Sequence, residues 1–141
     1  MRGIYCPSER HIMDIKELIE LLGFSLESQN KSGSFGDFVS TYNSPYFRLR
    51  IVGHRGQKRI DLAFNDQPRE WFDLCLVRFS LGQEKDDLAQ IPFEDGVSFL
   101  EKNFTKIREI FFGANSSQMK ARLQAMGTAR AKKMFPGNFQ G

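Results

Sequence analysis

Residues 46–64 read Tyr-Phe-Arg-Leu-Arg-Ile-Val-Gly-His-Arg-Gly-Gln-Lys-Arg-Ile-Asp-Leu-Ala-Phe, and this stretch decides the fold. Phe47, Leu49 and Ile51 alternate with Arg48 and Arg50, while Ile60, Leu62 and Phe64 alternate with Arg59 and Asp61. A period of two is that of a strand with one face buried, so the stretch contains two half-buried strands. Opposed residues of an antiparallel pair share a face. A two-residue tip at Arg55-Gly56 therefore sets Ile51 against Ile60, Leu49 against Leu62 and Phe47 against Phe64. The same register sets Arg50 against Asp61, a cross-strand ion pair worth ~0.2–1 kcal/mol. Moving the tip by one residue destroys both matches. The costly position is Arg55, because a type I′ turn needs positive φ there and Asn or Asp would adopt it more readily.

Outward from this hairpin, the rest of the chain supplies helices and a second hairpin. Asp14 and Glu17 have the spacing of a capping box, and Ile15, Leu18, Ile19 and Leu22 follow at helical intervals up to Gly23. Phe24 to Asn30 and Phe35 to Tyr42 read as strands joined by the turn-rich Lys31-Ser32-Gly33-Ser34. Asp66 and Pro68 predict a buried helix through Trp71 to Gly82, although the alternation at Leu74 and Leu76 leaves a strand reading open. Gln83 to Glu94 is polar and reads as a loop. Asp95 is the expected cap of a single helix to Gly113, with Val97, Leu100, Phe104, Ile107 and Phe111 as its apolar stripe. A last helix is expected from Ser117 to about Met134, interrupted at most at Gly127, with Met119, Leu123 and Met126 as a thin apolar seam. That seam would pack on the domain or on a second copy.

The expected fold is α+β: an antiparallel meander of about four strands with three or four helices against one face. Its expected core is Phe47, Leu49, Ile51, Ile60, Leu62, Phe64, Trp71, Leu100, Phe104, Ile107 and Phe111. At 141 residues the chain fits one domain, which buries about 68% of its unfolded surface. Its 14 Phe supply a core without disulfides or metal. The expected organisation is a disordered leader at 1–12, one α+β domain at 13–115, and a basic helix and tail at 116–141.

Charge and motifs restrict the function classes. The N-terminus lacks the apolar run of about 7 to 15 residues that a secretory signal needs, and no stretch approaches the roughly 18 apolar residues of a membrane span. Cys6 and Cys75 are too few for a disulfide framework and read as free thiols, so a cytoplasmic location is expected. The net charge of +3 divides unevenly, with −2 over residues 1–115 and +5 beyond them. Lys120, Arg122, Arg130, Lys132 and Lys133 carry that excess and could neutralise phosphates, but a helical charge run also arises as a solvated face.

The histidines, His11 and His54, have no further ligand at metal spacing, and no phosphate-cradling glycine loop is present. No metal, cofactor or catalytic centre is expected. His54 with Asp61 as an oriented general base is the remaining enzymatic reading, and the hairpin register opposes it by pairing Asp61 with Arg50 and His54 with Gln57.

Ile51-Val52-Gly53-His54-Arg55-Gly56, then Ile60-Asp61-Leu62, then Trp71-Phe72-Asp73-Leu74 form a pattern of strand, Arg-Gly tip, acidic strand and aromatic segment. Over these 25 or so residues the chain resembles small bacterial immunity proteins of polymorphic toxin and contact-dependent inhibition systems, departing at His54, where that pattern has Asp. The resemblance implies a non-catalytic protein that binds a cognate toxin domain and occludes it; a monomer or homodimer is expected. Arg48, Arg50, His54, Arg55, Arg59 and Asp61 are then the expected contact residues. The alternative is a small nucleic-acid-associated regulator acting through the basic C-terminal helix.

Overall fold

The computed structural model describes residues 15–32, 37–82 and 92–134. The expected leader, the Asp14 cap, the centre of the first turn, most of the polar loop after Gly82 and the final seven residues lie outside them, as do Cys6 and His11. The described chain is α+β. Helix α1 (Ile15–Leu21) precedes strands β1 (Ser25–Ser32), β2 (Asp37–Asn43), β3 (Arg48–His54), β4 (Gln57–Ala63) and β5 (Phe72–Asp73). Helices α2 (Leu74–Ser80), α3 (Phe93–Lys102), α4 (Phe104–Phe112) and α5 (Ser116–Met134) follow. The strands form one antiparallel meander in the order β1-β2-β3-β4-β5, one strand more than expected.

The central hairpin has the register that its alternation dictates. Ile51 pairs with Ile60, Leu49 with Leu62 and Arg50 with Asp61, down to His54 with Gln57 at the tip. Arg55 takes φ 53° and Gly56 φ 80°, the left-handed pair that a two-residue turn between twisted strands requires. On the inward face Leu49, Ile51, Ile60 and Leu62 are all buried. Phenylalanines lock this face to the helices: the Phe47 and Phe64 rings lie 5.1 and 4.4 Å from that of Phe111, and Phe24 meets Phe47 edge-on at 5.2 Å. Such ring pairs contribute ~0.5–1.5 kcal/mol each beyond their buried area.

Helix α1 ends as its glycine foretells. Gly23 sits at φ 97°, its N–H donates to the Glu20 carbonyl, and the Phe24 N–H donates to the Ile19 carbonyl, closing a Schellman motif over two core residues.

Several expectations are corrected. The helix expected from Pro68 begins only at Leu74. The chain first turns at Phe64–Glu70, then Phe72 and Asp73 add to the edge of β4 opposite Leu62 and Asp61, and Asp73 rather than Asp66 caps α2 by accepting the Cys75 N–H at 2.7 Å. Pairing along the open edge of β4 outweighs the local helix signal, and Trp71 is thereby turned out of the core onto the opposite face of the sheet. The long helix from Asp95 is two helices. Asn103, at φ −115° and ψ 18°, interrupts it while its side-chain amide donates to the Phe99 carbonyl, the local competition that makes Asn a poor helix interior residue. The first of these starts at Phe93 behind Pro92, with Glu94 and Asp95 in its first turn, where carboxylates favour the helix dipole.

Helix α5 runs through Gly127 without a break. Its seam docks on the chain's own core, with Leu123 fully buried and Met119 and Met126 against the same cluster.

Candidate functional site

The helices cover one face of the sheet, and the polar face carries the residues that the alternation of β3 and β4 directs outward. Asp61, on that face, is only 2% exposed, a depth that a carboxylate tolerates only with partners. It has two. Arg50 donates through Nε at 2.8 Å and Arg59 through Nε at 3.2 Å, so both guanidinium groups are held by their inner nitrogens. The Arg50 guanidinium also lies over the Trp71 ring, 4.6 Å from its centroid, and Arg48 lies 5.4 Å from the same ring. Arg48 is further fixed by donating to the Pro68 carbonyl and to Glu27. That contact holds the Glu27 carboxyl below its ordinary pKa. Glu27 is available because the β1–β2 register slips between Leu26 and Ser28, a bulge that leaves it as the extra residue.

The C-terminal helix closes one side of this arrangement. Lys120 donates to Asp66, Gln124 to Glu70, and Arg130 lies 3.7 Å from Asp73, so one face of α5 is tied along the 66–73 segment. Arg50, Arg59, Asp61, Trp71, Asp73 and Arg130 thereby line a cleft of about 330 Å³. Three arginines stand against two aspartates in its lining.

The expected contact residues thus separate into two groups. Arg48, Arg50, Arg59 and Asp61 share the polar face, whereas His54 and Arg55 stand at the hairpin tip. There Asp37 of β2 accepts the Arg55 N–H at 3.0 Å and lies 3.2 Å from His54 Nδ1. The Arg55 N–H, aided by His54, pulls the Asp37 carboxyl below its usual pKa. The imagined His54–Asp61 base is not assembled: Asp37 orients His54, and Asp61 belongs to the arginines. The basic tail residues are also dispersed. Lys120 and Arg130 pair with carboxylates of the domain, Arg122 and Lys132 are exposed, and Lys133 falls in the last turn of α5.

Reading along the chain missed Trp71, Asp73 and Asp37. The first two carried a usable signal, because a strand at 71–73 would send Trp71 and Asp73 to one face and Phe72 to the other. Asp37 carried none, since its partners lie 17 and 18 residues away.

Among the described residues no cluster of His, Cys, Asp or Glu has the arrangement of a metal site, and no helix is long and apolar enough to cross a membrane. Cys75 is buried in α2. Set against family models, curated proteins and solved structures, the chain matches none of them.

Proposed function

We propose that the chain is a non-catalytic protein-binding module that neutralises a cognate bacterial toxin domain by occluding it, with the polar sheet face as its contact surface. The observation that carries the reading is the cleft centred on Asp61. Its arginines are held in place before any partner arrives. Rigid arginine and tryptophan side chains of this kind are the residue types that dominate binding energy at protein interfaces. A second support is Arg55, which is held at φ 53° at the exposed tip although Asn or Gly would occupy that position at lower cost. Strain of ~1–2 kcal/mol retained at an exposed position is common where a side chain serves recognition. The resemblance to immunity proteins rests on the same hairpin and the same Trp71 segment.

The test is co-expression with any toxin domain encoded beside this chain. A one-to-one complex on size-exclusion chromatography and restored growth are expected, and Arg50→Glu should weaken both. Full lethality of every neighbouring toxin in the presence of the folded protein overturns the reading. The nucleic-acid alternative draws no support from the positions of Lys120 and Arg130, whose charges are already matched by Asp66 and Asp73.

A further inference from the structure

We propose that the Arg50–Arg59–Arg130 cleft is a recognition site for a single carboxylate, supplied by an acidic side chain of the protein partner. The inference rests on the binding-module reading but is tested without it. Three observations converge.

The first is geometric. Arg50 and Arg59 each spend Nε on Asp61, and their terminal nitrogens have no protein hydrogen-bond partner among the described residues. The two terminal nitrogens of a guanidinium form the planar fork that receives a carboxylate through two parallel hydrogen bonds. The buried carboxylate thus acts as a hinge pin that orients two forks.

The second is charge. Arg50 and Arg59 share the single carboxylate of Asp61, so one further carboxylate balances the pair, whereas a phosphate dianion would overcharge it. The third is the wall. Trp71 flanks the forks under Arg50 and offers an apolar surface for the methylene stem that carries a glutamate carboxylate. A volume of about 330 Å³ accommodates such a side chain.

Trp71 is the only tryptophan in the chain, so its fluorescence reports on this cleft alone. The experiment titrates the isolated protein with N-acetyl-glutamate amide, which carries one carboxylate, using the glutamine derivative and inorganic phosphate as controls at matched ionic strength. A saturable change in Trp71 emission is expected for the glutamate derivative, with a dissociation constant on the order of millimolar for a ligand of that size.

Arg59→Gln should raise that constant about fivefold or more by removing one charged fork. Its circular dichroism should match wild type, because Arg59 is the more exposed of the two partners of Asp61. No saturable change overturns the site. So does equal binding of the glutamine derivative, tighter binding of phosphate, or an Arg59→Gln protein that titrates like wild type. A carboxylate-binding protein that protects from no toxin overturns the partner reading and leaves the site standing. A toxin complex with an inert cleft does the reverse.

Discussion

Asp61→Asn removes the charge that organises the polar face while keeping the side chain's size, and its cost can be worked from the geometry. The carboxylate is 2% exposed, and its Nε donors are 2.8 Å away on Arg50 and 3.2 Å away on Arg59. A buried ion pair stripped of one partner loses about 3–5 kcal/mol when both groups are sealed from water. Here the arginine side chains are 25% and 55% exposed, so solvent screens what is left behind. The charged hydrogen bond to Arg50 contributes ~1.5–3 kcal/mol, and the exposed Arg59 contact adds ~0.2–1 kcal/mol. The asparagine oxygen still accepts one bond, which returns part of the loss. The expected destabilisation is about 2 kcal/mol, read in urea as a midpoint lowered by roughly 1 M with an unchanged slope. Arg59→Gln should cost under about 1 kcal/mol, and the cycle of Asp61→Asn with Arg50→Met should return a coupling of ~1–2 kcal/mol. An Asp61→Asn protein within about 0.5 kcal/mol of wild type would refute the view that this carboxylate holds the arginines. So would an Arg59→Gln protein as unstable as Asp61→Asn.

Three further outcomes are expected. Gly53→Ala would drive its Cβ into the Phe38 ring, which covers the glycine from the facing strand, so the ring must leave its seat at a cost of ~1–3 kcal/mol. The same substitution made in Phe38→Ala should cost far less, as paired urea melts would reveal. Arg55→Asn should raise stability by ~0.5–1 kcal/mol, since Asn tolerates the left-handed conformation and keeps the N–H that Asp37 accepts; a thermal midpoint at or below that of wild type counts against strain at the tip. Asp37 has a folded pKa below its unfolded one, so its contribution is complete above the unfolded value and vanishes as pH falls through the folded value. Asp37→Asn should therefore flatten the loss of stability below about pH 4 and leave the profile near neutrality parallel to wild type. Denaturation midpoints across that acid range decide the matter.

What the chain determined by itself was local. Period-two alternation imposed the register of β3 on β4 and the pairing of Arg50 with Asp61, because any slip would carry every oily side chain to the wrong face. The αL positions at Gly23 and Gly56 and the seam of α5 follow from residue types a few places apart, and the forces involved act over that same range. The tertiary structure alone decided the fate of Trp71, which left the expected core because the open edge of β4 recruited Phe72 and Asp73 as a strand. It also decided that Asp61 is buried, that Asp37 rather than Asp61 orients His54, and that α5 spends Lys120 and Arg130 on the domain's own carboxylates. These contacts join residues as far apart as Asp73 and Arg130, and whether such groups meet depends on how the helices dock on the sheet, which no local period encodes. The candidate site belongs to this second kind: half its residues lie on one legible hairpin, and the rest reach it only because the chain folds back across the sheet edge.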